Sequence, residues 1–484
     1  MDGTVADYDV ILYGLGIESL TIGSLLAKRG KRILILGVEG DSEDQPFLSR
    51  DGFLFDAYPS FWLAPDPERP HPVFSELGIS IDFQPLDPGL QVVLPHHRLS
   101  FHREEGLFWA EIRREFPHQG ERIAAFLRHM EELRERMGGF LRQEFAPPSR
   151  GLQEKWVRMK DIPFSIPSVL LREGKPSLSP CLRVLGKDRE VSLMISSLLL
   201  GLGGVGARNC NALFASLLFS LLREPICYPA GGAKRIHEAL QESFLKNGGE
   251  LRFTLQDSRL IREKKRIRGL ATAEGGEFLG KTIMGGPRLW RVYEGQKETS
   301  RPGKIPPLQG VLSVLLGVDQ EVLPEEMGRN VLLVSSASLS SGGPGPIWIT
   351  TSPCGGGAGA PQGKRALTAT VFHAGGWEEG SQPPDRAKVI MGELEDFLPF
   401  LSQHLHFEGS HFCRSFSMLQ PARRWGLKFR IAPLKQIGYS GLRVFSPQQN
   451  LLFIGDLPVY GIGLRARIDA GYYWASALGS SREG

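Results

Sequence analysis

Two short glycine-bearing turns, each set between an apolar strand and a helix, are where this 484-residue sequence could do chemistry. At the first, Asp9-Val10-Ile11-Leu12-Tyr13 reads as a strand, Gly14-Leu15-Gly16-Ile17-Glu18-Ser19 as a tight turn and Leu20 to Arg29 as an amphipathic helix. A second strand, Arg32 to Leu36, completes a βαβ unit, the setting that gives a glycine turn meaning. Gly14 permits the sharp exit from the strand. Gly16 lets backbone N–H groups approach an anion at the positive end of the helix dipole. At the second turn, Asn450 to Ile454 is a buried strand ended by Gly455-Asp456, and a helix begins near Gly463 and runs to Leu478. Between them, Tyr228-Pro229-Ala230-Gly231-Gly232 leads into an amphipathic helix, Ala233 to Asn247. Such turns hold phosphate-bearing ligands; they do not themselves break bonds.

Other chemistry finds less support. His404, His406 and His411 have metal-ligand types, but they sit at a helix-to-strand junction without a carboxylate or cysteine nearby in sequence, so no metal is expected. His96, His97 and His102 read as hairpin residues. No GxSxG, HExxH or P-loop pattern occurs, which leaves hydrolase and nucleotidase readings without a nucleophile or phosphate cradle. No catalytic acid–base residue is assigned.

The elements that must position the turns follow from periodicity. Leu107 to Met137 reads as two solvated helices broken at Pro117. Val191 to Leu222 is hydrophobic nearly all round and reads as buried helices, with an apolar tunnel or membrane-facing surface as the other reading. A meander follows, with strands ending near Ile261, Ala273 and Met284, and its six basic residues between Arg259 and Arg268 read as a solvated hairpin tip or a lipid-headgroup contact. Ile347 to Thr351 is a short strand between Gly/Ser/Pro-rich loops, and Arg423 to Arg430 an edge strand with Trp425 and Phe429 packed inward.

A net charge of +4 from 57 Lys and Arg against 53 Asp and Glu excludes the basic footprint of a nucleic-acid binder. Five scattered cysteines without a CxxC pair argue for reduced thiols, and with no secretory pattern after Met1 a cytoplasmic protein is expected. The oligomeric state is not legible.

Four blocks in one order carry a family resemblance: Asp9 to Leu36, Asp51-Gly52-Phe53-Leu54-Phe55-Asp56-Ala57-Tyr58-Pro59, Tyr228 to Gly232, and Leu452 to Asp456 with Gly461 and Gly463. Together the chain resembles the phytoene desaturase and carotenoid isomerase branch of FAD-dependent oxidoreductases. The resemblance implies an α/β protein with a Rossmann-like FAD-binding domain assembled from residues 1–90, 225–290 and 446–484. An α+β substrate domain, residues 91–224 and 291–445, is inserted between these pieces. It implies FAD held at Gly14, Gly16, Ser19, Glu39, Gly231, Gly232, Gly455, Asp456, Gly461 and Gly463, with Asp456 beside the ribityl and phosphate portion and the last two glycines close to the isoalloxazine ring. The ligand it implies is a long apolar polyene or isoprenoid-like lipid, and in that chemistry the flavin carries the hydride; a peripheral membrane contact is the other reading of the apolar run and the basic hairpin.

Departures from the family gather where FAD should bind. Ser19 replaces the third fingerprint glycine, and Glu18 precedes it where glycine is usual. Gly37 stands where an acidic residue would hold the ribose, with Glu39 two residues on, and Asp257 falls where an apolar residue would face the adenine. Leu457-Pro458-Val459-Tyr460 lacks the usual small and polar residues. Glu18 either points to solvent or fills the anion site itself. Two functions follow: an FAD-dependent desaturase or isomerase, or a cofactor-free protein of the same fold that binds or presents a lipid or protein partner, as Rab escort and dissociation-inhibitor proteins do.

Overall fold

A computed structural model describes residues 7–40, 44–57, 59, 62–63, 70–144, 177–186, 188–203, 206–207, 210–263, 266–296, 308–335, 345–353, 359–373, 383–416, 450–454 and 463–479. The opening βαβ unit forms as its pattern demands: β1 (Asp7–Tyr13), α1 (Ile17–Lys28) and β2 (Ile33–Val38). Further elements of the same layer are α2 (Gly232–Lys246), β3 (Glu250–Thr254), β4 (Arg259–Glu263), β5 (Arg266–Ala271), β6 (Glu277–Gly285), β7 (Leu451–Phe453) and α3 (Leu464–Gly479). The strands lie in the order β3-β2-β1-β6-β5-β4, with β7 beside β6. Pairings among β3, β2, β1, β6 and β7 are parallel, and β5 and β4 fold back antiparallel. This is the Rossmann-like α/β layer expected from the sequence, drawn from three separated stretches of chain.

Helix α1 is buried along almost its whole length because α2 and α3 both cover it. Gly471 of α3 crosses directly over Thr21: a Cβ there would lie 2.5 Å from the threonine Cβ. Ser24 of α1 donates to the Leu240 carbonyl of α2 at 2.9 Å, so a buried hydroxyl ties the helices without leaving a polar orphan.

A second seven-stranded sheet runs in the order Leu405–Phe416, Leu308–Asp319, Lys364–His373, Ile347–Thr351, Asn330–Leu333, Leu90–Val93, Arg98–Phe101. Helices Gly120–Glu144, Arg189–Gly203 and Ala212–Ser220 pack on one side through a core containing Phe126, Leu198, Phe214, Leu332 and Trp348. The helix Pro383–Phe397 packs on another core of the same sheet through Ile390 and Leu394. The described apolar side chains of the run Val191 to Leu222 are thus largely core against this sheet. Pro117 does separate two helices, Glu105–Glu115 and Gly120–Glu144. The basic side chains Arg259, Arg262, Arg266 and Arg268 of the meander hairpin are exposed. Cys210 and Cys227 are free thiols. Among the described residues no helix is long and apolar enough to cross a membrane. The proposed edge strand Arg423 to Arg430 lies outside the described residues.

Candidate functional site

β1 runs parallel to β2 up to Tyr13, and the chain leaves the sheet at Gly14, whose φ of +106° is open to glycine and strained for other residues. The Gly14 N–H bonds the Leu36 carbonyl at 3.0 Å, and the Gly16 carbonyl accepts from Leu20, starting α1. From α2, the buried His237 ring bonds the Leu15 carbonyl at 3.1 Å through Nε2. Burial pushes its pKa below the usual imidazole range, so the neutral ring donates to that carbonyl. The turn is therefore gripped from behind by a residue more than 200 positions away in sequence.

In front of the turn stand two carboxylates. Glu18 lies in the first turn of α1 and folds back over Gly16: a Cβ on Gly16 would sit 3.0 Å from Glu18 Oε2. Its other oxygen, Oε1, pairs with Arg467 Nη1 of α3 at 3.0 Å, and both side chains are only 13% exposed. The Asp44 carboxylate covers Gly14 so closely that any Cβ there would collide with it. The second fingerprint glycine leaves this space for a pyrophosphate, and here the chain's own acids take it. Two carboxylates standing where a pyrophosphate would sit occupy its space and oppose its negative charge. The residues at this end do not fit the ADP half of FAD.

The adenosine end is altered in the same direction. A Cβ on Gly37 would meet the Phe253 ring of β3 at 3.0 Å, so an aromatic face covers the position of the expected ribose acid, and Phe253 itself is 50% exposed. Glu39 is exposed, and its N–H bonds the Thr254 carbonyl at 2.9 Å. Asp257 accepts from the Tyr13 hydroxyl at 3.0 Å and pairs with Arg288 at 2.9 Å. Burial, with the Asp257 charge beside it, pushes the Tyr13 phenol up to about 12.

The start of α2 is polar and ordered. Asp56, 8% exposed, accepts from Ala233 N–H at 3.1 Å and from the Tyr228 hydroxyl at 3.0 Å, capping the helix that Gly231 and Gly232 introduce. Burial and the Asp56 charge raise the Tyr228 pKa far above its ordinary value. The Arg329 guanidinium stacks on the Tyr228 ring, 3.6 Å from its centroid. At the start of α3, His71 bonds Asp469 at 2.7 Å, and Arg465 lies 3.5 Å from the same carboxylate. Burial raises the Glu224 pKa although Arg134 pairs with it at 2.7 Å and Arg465 also acts on it.

Of the residues expected at the cofactor, Gly14, Gly16 and Ser19 share one turn, with Ser19 buried inside α1; Gly231 and Gly232 form the α2 entrance; Gly463 precedes α3 with a φ of +138°. Gly455, Asp456 and Gly461 lie outside the described residues. Sequence reasoning missed Asp44, Arg467 and His237 as partners of the turn. Arg467 had a visible signal, a cation in the first turn of a helix after fingerprint glycines, where the dipole disfavours positive charge unless an anion answers it. Of the histidine cluster, His404 and His406 both bond Asp319, at 3.2 and 2.6 Å, whereas His411 is buried further along the strand. The two imidazoles hold the Asp319 carboxyl below its usual range, and no cluster of the described residues has a metal-ligand set.

The chain is 22% identical over 436 residues to the chloroplastic prolycopene isomerase of Arabidopsis thaliana, covering 84% of this chain and 72% of that one. It is 22% identical over 294 residues to a 4,4'-diapophytoene desaturase of a Methylomonas species, covering 57% of this chain and 52% of that one. The chain resembles the carotenoid isomerases and desaturases. It is also 23% identical over 286 residues to an inactive all-trans-retinol 13,14-reductase of Danio rerio, covering 56% of this chain and 45% of that one. The match spans about half the length of the last two of these proteins. No family model matches the chain. Among solved structures it shares the fold of an oxidoreductase from Methanosarcina mazei, with a TM-score of 0.60, 14% identity and 96% and 99% of the two chains covered. A putrescine oxidase bound to putrescine aligns at a TM-score of 0.57, 14% identity and coverage of 98% and 99%. A Rab GDI from Plasmodium falciparum aligns at 0.50, 11% identity and coverage of 85% and 90%. Oxidases and a Rab GDI share this fold, so the fold alone does not choose between catalysis and binding.

Proposed function

We propose that this chain binds a long apolar polyene or isoprenoid-like lipid on a flavoenzyme-type fold without using a dinucleotide. The observation that carries the reading is the Glu18 carboxylate, folded over Gly16 and anchored by Arg467. The relatives' names, prolycopene isomerase and diapophytoene desaturase, supply the apolar class of ligand. In this reading residues 1–90, 225–290 and 446–484 form the former cofactor domain, residues 91–224 and 291–445 hold the lipid, and the protein works in the cytoplasm with its basic hairpin touching a membrane surface. A second reading, an FAD-dependent isomerase or desaturase, is favoured by the same relatives and by the retained Gly14 turn and Asp56-capped helix. It requires Glu18 and Asp44 to leave the front of the turn.

Incubation with FAD followed by gel filtration and a visible spectrum separates the two. The expected result is a protein peak without a flavin band that retains the absorbance of an added carotenoid. A flavin band at one equivalent per chain overturns the cofactor-free reading.

A further inference from the structure

A second gathering of cations lies at the end of the other sheet. Thr351 closes the strand Ile347–Thr351 and is held by two guanidiniums: its carbonyl accepts from Arg329 Nε at 3.1 Å, and its hydroxyl accepts from Arg365 Nη2 at 3.0 Å. Both arginines line a cleft of about 550 Å³, within the range of small-molecule sites. Arg365 is 7% exposed, so its guanidinium is held rigidly at the inner end of the cleft. Arg329 is half-buried and forms no ion pair among the described residues, and its Nη2 is buried without a hydrogen-bond partner. The face of Tyr228 supports it from behind, which fixes the plane of the fork. Leu323, Pro324 and Met327 give the cleft an apolar wall, and Glu321 and Glu325 stand at its exposed rim.

We infer that this cleft binds an oxyanion headgroup, a carboxylate or phosphate, on Arg329 and Arg365, with the apolar part of the same molecule against Leu323, Pro324 and Met327. A planar fork with a spare donor is built for bidentate contact with an oxyanion, and burial keeps water from competing for it. Only the apolar half of the ligand rests on the lipid-binding reading; the headgroup site stands on the two arginines. The rim carboxylates disfavour small free anions that lack an apolar part to hold them.

Calorimetric titration of the whole protein with farnesoic acid, farnesyl phosphate, farnesol and inorganic phosphate tests this. The acid or the phosphate ester is expected to bind at least tenfold more tightly than the alcohol, and the tighter of the two names the headgroup. Arg329→Gln is expected to erase that preference, and Arg329→Lys, which keeps the charge and loses the fork, to restore part of it. Circular dichroism of each variant checks that it has folded, and the ratio of acid to alcohol affinity in the wild type tests the inference without any variant. Equal affinity for acid, ester and alcohol, indifferent to Arg329→Gln, overturns the headgroup site and leaves the lipid reading standing. Binding of inorganic phosphate alone, lost in Arg329→Gln, keeps the anion site and removes the lipid reading.

Discussion

At the glycine turn the Arg467 guanidinium lies 3.0 Å from a carboxylate of its own chain, whereas at Thr351 the Arg329 guanidinium meets a carbonyl and an aromatic face and, among the described residues, no carboxylate. The first place has two helix starts and a cation, all favouring negative charge, and two acids fill it from within. The second keeps a donor nitrogen buried and unanswered. An ancestral-looking anion site can therefore be closed by internal pairing, while the site left unbalanced is where an external anion gains most. Location in the fold is a poorer guide to binding than the charge count around each guanidinium.

The sharpest way to break this contrast is Glu18→Ala. Removing Glu18 takes away one partner of a largely buried ion pair, and a loss of about 3 kcal/mol is expected from urea denaturation. Inorganic phosphate should recover part of that loss by taking the vacated place beside Arg467. A loss under about 0.5 kcal/mol, with no response to phosphate, would show that the pair does not close the site.

Asp56→Ala removes the α2 cap and leaves the Tyr228 hydroxyl without its acceptor, so about 2 kcal/mol should go. Unchanged denaturation midpoints would remove the capping role. His237 gives a smaller, pH-dependent effect. Burial holds its folded pKa below that of an ordinary imidazole, about 6.5, so the unfolded chain takes up a proton first as pH falls. Stability from this residue is complete above pH 6.5 and drains away below it. His237→Gln keeps a donor for the Leu15 carbonyl and should cost about 1 kcal/mol or less at pH 8 while flattening that acid limb. Parallel acid limbs in the two proteins would count against the assignment. The smallest change is expected for Arg329→Gln, about 0.5–1 kcal/mol from the lost stack on Tyr228, because it breaks no ion pair among the described residues. A loss as large as that of Glu18→Ala would erase the difference between the two sites.

What the sequence revealed and what it hid divide along sequence distance. The opening βαβ unit, the Gly14 exit and the awkwardness of Glu18 were all readable, because strand, turn and helix signals act within about 30 residues. The partner of Glu18 was not, since Arg467 arrives from the last described helix and no local rule links them. Asp257 looked like a defect at the adenine position, and only the fold shows it answering Tyr13 and Arg288. The same holds for Asp319, the carboxylate that the histidine cluster lacked in sequence and has in space. The Thr351 cleft was invisible for a further reason: its arginines precede or begin separate strands, and only sheet pairing brings them to one residue.

The crossing of Gly471 over Thr21 has a consequence for the growing chain. Helix α1 leaves the ribosome well before α3, and the part of its cover that α3 supplies is made about 450 residues later. At roughly 5–20 residues per second, Ile17, Leu20 and their neighbours wait on the order of 20 to 90 seconds for α3. During synthesis that face is an aggregation hazard, so a chaperone should be found on nascent chains between the emergence of α1 and that of α3.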